Sequence, residues 1–408
     1  MNHPRTSGLV LTCCTLLLWL GGNASAQSRI TGPPWGEDGG PKIVFGPEDQ
    51  GVLQIDYKGQ FRMTARDIGS GTDDGENTTN FGFRRNRLAL RGAWGDKLSL
   101  YVQTEFTEDQ NVGVLDVSSS NLGSNFQLLD AVLRFDLHES FKINVGKFKY
   151  NLSRENLEAC EEPLTLDRSP FIRAPFVGTR DNGVAIWGNL LKQRLQYRAD
   201  VMEGRQAVSG ASAPASNFRY SARGHLTLLD PESGYGYKGT YLGEKKVLTI
   251  GAAYQVEPKV TYTDTVTRIQ PRDYKAWTFD GFFEYPTSNA GTVTLSGAYE
   301  KVDLDGAYRG ATPDSGVLGL NGEKNGYYGK VGYLLPRTKL QVFARYEKWR
   351  FASLFDTVDE IADWYGGGAH YYIWGQSLKV SAEFGRIEFD KGSRKDFNTL
   401  VTQLQLVF

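Results

Sequence analysis

The sequence predicts an all-β protein: a transmembrane antiparallel β-barrel of sixteen strands with long loops at one end and short turns at the other. Three observations carry this. Apolar and polar residues alternate with period two over segments longer than ordinary soluble strands. The connections between those segments alternate long and short, as in barrels that cross an outer membrane. Beyond the first 26 residues no apolar run is long enough for a membrane helix.

The composition fits that class. Of 408 residues, 47 are Gly, 21 Tyr, 22 Phe and 8 Trp, against 3 Met and 4 His. Glycine and aromatics at this level, with few helix-favouring runs, indicate turns and strands. The net charge is −1, from 46 basic and 47 acidic residues. That balance excludes the broad basic field a nucleic-acid binder needs.

Residues 1–26 read as a signal peptide. Arg5 supplies the positive start, 9–20 the apolar core, and Ala24-Ser25-Ala26 a small-x-small cleavage site. Export to the outer membrane of a Gram-negative-type cell is the expectation. Cys13 and Cys14 lie inside the apolar core, so Cys160 alone remains in the mature chain and no internal disulfide can form. Residues 27–50 hold Gly32-Pro33-Pro34 and Gly39-Gly40-Pro41 and read as a flexible N-terminal segment. The barrel is expected over 51–408.

Its first strand is the clearest. Leu53, Ile55, Tyr57, Gly59, Phe61, Met63 and Ala65 share one face, and Gln54, Asp56, Lys58, Gln60, Arg62, Thr64 and Arg66 the other. Next, Leu88, Leu90, Gly92 and Trp94 oppose Arg85, Arg87 and Arg91 before a tight turn at Gly95-Asp96-Lys97. The same reading gives strands at 52–66, 81–94, 98–107, 127–137, 141–149, 183–190, 193–204 and 217–229. The second half reads 246–257, 274–285, 291–303, 325–335, 338–351, 363–374, 377–390 and 396–408. Connections 67–80, 108–126 and 150–182 are long, and 95–97, 138–140 and 191–192 are short. Connection 230–245 breaks the rule by being long on the short side. Residues 153–160 are the helix-like exception, able to form a short helix within a loop. Most aromatics fit interfacial girdles. In the last strand Leu400, Leu404, Leu406 and Phe408 share a face, and a closing aromatic resembles the signal read by the outer-membrane assembly machinery.

Several stretches resemble one family. Phe81-Gly82-Phe83-Arg84-Arg85-Asn86-Arg87-Leu88-Ala89-Leu90-Arg91-Gly92, Gly146-Lys147-Phe148-Lys149 and Arg180-Asp181-Asn182-Gly183-Val184 resemble, in order and spacing, the phosphate-selective porin O and P family. The resemblance covers essentially the whole mature chain. It implies a sixteen-stranded, trimeric outer-membrane porin for small hydrophilic solutes or anions, phosphate among them, in contact with outer-membrane lipid.

A barrel of this size leaves an aqueous lumen. Arg62, Arg85, Arg87 and Arg91 fall opposite the lipid-type face and are candidates to line it; a guanidinium fork suits phosphate-like anions. The same arginines read equally well as wall residues paired with Asp56, Glu105 and Asp130. Lys147 and Lys149 are further pore candidates through the resemblance, although strict alternation points them outward unless a bulge intervenes. The third long loop, 150–182, is the candidate constriction, with Arg154, Glu158, Glu161, Asp167, Arg168, Arg173 and Arg180 as its charged members. It carries six acids against four bases, so no strong phosphate filter is expected. A sugar-selective porin and a non-transporting adhesin or scaffold barrel stay open as alternatives. No enzyme or cofactor is expected. His138, His225 and His370 show no metal spacing, and Ser221 and His225 are too far apart along one strand for a catalytic pair, at roughly 13 Å.

Overall fold

The computed structural model describes residues 40–68, 76–106, 126–169, 172, 178–205, 218–264, 269–305, 323–351, 360–390 and 395–408. Seventeen strands appear among them. They are β1 (Lys42–Phe45), β2 (Gly51–Arg66), β3 (Thr78–Trp94), β4 (Leu98–Glu105), β5 (Gln127–His138), β6 (Phe141–Phe148), β7 (Asp181–Leu190), β8 (Leu195–Met202) and β9 (Arg219–Thr227). The series continues with β10 (Val247–Asp264), β11 (Ile269–Thr287), β12 (Gly291–Asp303), β13 (Lys324–Leu334), β14 (Leu340–Phe351), β15 (Glu360–Trp374), β16 (Leu378–Phe389) and β17 (Phe397–Val407). From β2 to β17 each strand pairs antiparallel with the next, and β17 pairs with β2. Sixteen strands, β2 to β17, therefore close the barrel, and each of them is paired on both sides.

The alternation maps onto the wall as the pattern predicts. On β2, Gln54, Asp56, Lys58, Gln60, Arg62, Thr64 and Arg66 are buried inside, while Ile55 and Phe61 are exposed outside. The barrel is thus polar within and apolar without, the arrangement lipid requires. Gly95 turns the β3–β4 hairpin at φ 56, a conformation costly for any residue with a Cβ.

The structure adds four points the pattern does not contain. First, β1 pairs with Gly51–Gln54 of β2, so this part of the 27–50 segment is not free. It continues along β2 where β17 stops, next to the paired backbones of Tyr57 and Phe408. Residues 1–39, with the signal peptide, lie outside the described residues. Second, β10 and β11 run on to Asp264 and from Ile269, well beyond the expected ends. Third, a bulge sits at Arg84: Gln60 pairs with Arg85 and Phe61 with Phe83. The side-chain phase flips there, so Phe81 and Phe83 point out while Arg85 and Arg87 point in, although all four numbers are odd.

Fourth, aromatics are not confined to girdles. Two apolar clusters lie inside the barrel. One joins Phe148, Tyr150, Leu152, Leu157, Trp187, Tyr235, Tyr237 and Tyr274; the other joins Leu166, Tyr328, Trp349, Trp364, Ile387 and Val401. Each packs wall residues against inward-folded connections. A large part of the interior is therefore a packed core rather than water. The purified protein should be almost wholly β by circular dichroism and should migrate anomalously on gels until heated. A largely helical spectrum would overturn the closed barrel.

Candidate functional site

The connection from β6 to β7 folds inward and crosses the barrel. Its first half is tied to the wall at β8 and β11. Asn151 donates through its backbone N and Nδ2 to Asp200 Oδ2 (3.0 and 2.7 Å). Thr278 Oγ1 donates to the Leu152 carbonyl at 2.6 Å. The expected short helix is present as α1 (Arg154–Leu157), and the Ser153 hydroxyl caps it by accepting from Asn156 N at 3.1 Å. The second half reaches the opposite wall. Glu161 pairs with Lys58, and its carbonyl accepts from Lys379 Nζ (3.0 Å) and Gln405 Nε2 (2.9 Å). Leu166 N donates to Glu383 Oε2 at 2.9 Å. Asp167 takes both guanidinium nitrogens of Arg62, at 2.6 and 3.0 Å. The loop thus spans the lumen from wall to wall.

The predicted charges divide into distinct groups. Arg62 is fully buried and serves Asp167 and Gln403. Arg87 pairs with Glu105 through two contacts, at 2.8 and 3.2 Å. Arg91 pairs with Asp56, and Arg180 with Asp130 at 3.0 Å. Asp56 and Glu105 therefore hold arginines of the expected wall set, whereas Asp130 holds Arg180 of the loop instead. Arg85 donates to Gln60, and the Asp167 carboxylate, 3.8 Å away, is already bound by Arg62. Arg154 is gripped by Glu232 and Arg168 donates to the Glu155 and Asn156 carbonyls. Arg173 lies outside the described residues.

Lys147 is a correction. Its side chain shares the outer face with Val145 and donates to the Leu128 carbonyl, so it does not line the lumen. No bulge intervenes along β6, and alternation holds. Lys149 lies one residue past the end of that strand and escapes its phase. It turns toward the loop and donates to the Glu158 carbonyl.

Cys160 reports the electrostatics of the loop's centre. Burial pushes its thiol up, but Arg168, Arg85, Lys149 and Arg87 converge on it and hold it well below its ordinary value. Asp167 is likewise raised by burial and pulled far below the usual carboxylate range by Arg62, Arg84 and Arg85. Across the loop the sign reverses. Burial, and then the Glu155 carboxylate beside it, push Glu158 up to about 7 against the pull of Arg154, Lys330 and Arg168. A carboxyl raised in this way favours packing most below its unperturbed value of 4.5, and that contribution is lost as pH rises through about 7. Channel openings should therefore become noisier as pH rises from 4.5 to about 7. Glu158→Gln should flatten that dependence in single-channel records; an unchanged pH profile would assign it to another group.

Among the described residues no group of three or more His, Cys, Asp or Glu is placed to hold a metal. Ser221 contacts Gln255, and His225 contacts Tyr237. His370 Nδ1 does meet Ser381 Oγ at 2.7 Å, a pair the sequence pattern hides because the two residues are on different strands. Its other nitrogen faces the Leu164 carbonyl, not a carboxylate, so no orienting acid completes a triad.

The model of the phosphate-selective porin O and P family matches residues 55–408. The chain belongs to that family. This porin is 22% identical over 386 residues to an uncharacterized protein of Aquifex aeolicus, covering 87% of each chain. Its fold is similar to that of an anion-selective porin from Comamonas acidovorans (TM-score 0.55, 9% identity, 88% of this chain and 100% of that one). It is similar too to the outer-membrane channel DcaP of Acinetobacter baumannii (0.56, 15%, 90% and 99%). OmpF of Salmonella typhi, solved with daunomycin, gives 0.59 at 10% identity, covering 90% and 100%. Fold and family are those of an outer-membrane porin channel rather than an enzyme.

Proposed function

We propose that this porin lets small hydrophilic solutes diffuse across the outer membrane of a Gram-negative-type cell and favours anions mildly over cations. One observation carries the preference: Arg85 reaches the centre of the inward loop through Gln60, which donates to the Cys160 carbonyl, while Lys149 and Arg168 donate to loop carbonyls at Glu158, Glu155 and Asn156. Of these cations and the neighbouring Arg87, only Arg87 has, among the described residues, a carboxylate within hydrogen-bond distance. Cations placed so attract anions and replace part of their hydration, while a mixed-charge surround keeps binding weak enough for release. Glu158, Glu161 and Asp167 oppose the cations from the loop itself, so the reading is mild anion preference and not tight phosphate capture. Export by the 1–26 leader and assembly as a homotrimer belong to the same proposal. The test is purified protein in a planar bilayer under a salt gradient, with phosphate then added. The expected result is an anion-directed reversal potential and partial, low-affinity phosphate block. A cation-directed potential would overturn the preference, and a folded barrel without conductance would overturn the channel and leave a scaffold.

A further inference from the structure

The connection from β9 to β10, residues 228–246, enters the barrel from the end where every other described turn is short. It meets the constriction loop inside. Tyr237 forms a parallel bridge with Glu158. Ala159 N donates to the Tyr237 carbonyl at 2.9 Å, and Gly239 N to the Glu162 carbonyl at 2.9 Å. Glu232 accepts from both terminal nitrogens of Arg154, each at 2.7 Å. The Arg154 guanidinium also lies on the Phe282 ring at 3.9 Å and the Tyr237 ring at 4.6 Å.

This connection is itself fixed to the wall. The Glu284 carboxylate of β11 accepts from Thr240 Oγ1, Tyr241 N and Gly243 N, at 2.9, 2.9 and 2.8 Å. Glu232 is held further by Tyr241 Oη and Thr249 Oγ1, both at 2.6 Å. The four-residue α1 cannot stand alone, since one helical turn is unfavourable without tertiary support. We propose that segment 228–246 is a back-stop that sets the aperture by holding the first half of the constriction loop, with Glu232 as its positioning residue. It acts through Arg154 and touches no solute. The inference rests on the channel reading above.

The test compares wild type, Glu232→Gln, Arg154→Gln and the double variant in planar bilayers, each first checked for heat-modifiable migration. Each single variant should raise conductance roughly twofold and add brief closures, because half of the constriction loses its support. The double variant should resemble either single one, since the two residues act as a unit. Wild-type conductance in folded Glu232→Gln, or additive effects in the double variant, would overturn the inference and leave the channel reading standing. A wild type that conducts nothing would overturn both. If Glu232→Gln does not fold, Lys238→Gln serves, because the Lys238–Glu162 pair lies half-exposed on the same bridge at 2.8 Å. It should raise conductance by less, and unchanged conductance would reject the back-stop.

Discussion

Asp167→Asn should raise single-channel conductance more than any other single change in the second half of the constriction loop. Asp167 is the point where that half meets the wall. Its carboxylate holds Arg62 at two nitrogens, Arg84 lies at 3.7 Å and Arg85 at 3.8 Å, and its carbonyl accepts from Arg345 at 2.8 Å. Arg62 has no exposed surface. Removing one partner of such a pair leaves a buried charge uncompensated, at a cost of about 3–5 kcal/mol. The closed barrel does not depend on this contact, because its strands pair through backbone. The loop does depend on it, so the response should be release of residues 164–169 into the lumen's water rather than unfolding. The variant should keep its heat-modifiable migration, conduct more and fluctuate more. Arg62→Gln should do the same from the wall side. Wild-type conductance in both folded variants would show that Leu166, Glu161 and their partners hold the loop without the ion pair.

Much of this was legible from residue order alone. Period two assigns every inward residue of β2, and an odd connection at 230–245 marks the segment that proves to enter the barrel. Asp56 and Glu105 follow from parity as wall partners of Arg91 and Arg87, because cross-strand neighbours on one face must be close, whereas Asp130 takes Arg180 from the loop, a pairing parity does not contain. What escaped the sequence has physical causes. A bulge is one residue, and nothing in Arg84 announces it, yet it sets the phase of Arg85. Lys147 and Lys149 share a parity but not a fate, since parity ends where the strand ends. The inward clusters escaped for a different reason. Trp187, Trp349 and Trp364 face the interior because inward-folded connections cover them. From sequence, a tryptophan beneath a loop and one in a membrane girdle look alike. The depth to which the loop and the 228–246 segment fill the lumen is a tertiary property with no local pattern.

The same geometry ranks the arginines of β3 for selectivity. Arg87 and Arg91 are matched by Glu105 and Asp56. Arg85 shares Asp167 with Arg62 and Arg84, so three guanidiniums surround one carboxylate. The surplus positive charge sits beside the inward loop among buried side chains, where screening by bulk salt is weakest. Arg91 is half-exposed nearer the short-turn end, and screening there acts within about 8 Å at physiological salt. Each Arg→Gln change removes one positive charge, but the shift in reversal potential toward cations should fall in the order Arg85, Arg87, Arg91. Arg85→Gln is also the cleanest variant, because Asp167 keeps Arg62. Arg87→Gln would strand Glu105. The triple variant should move the potential furthest while the barrel still folds. Raising salt to about 1 M, where charges act over about 3 Å, should compress the differences among all four proteins. An unchanged reversal potential in the folded triple variant would make these arginines wall residues only, and the channel a general diffusion pore. An equal shift from each single change would mean instead that the whole lumen, and not the neighbourhood of Asp167, sets the preference.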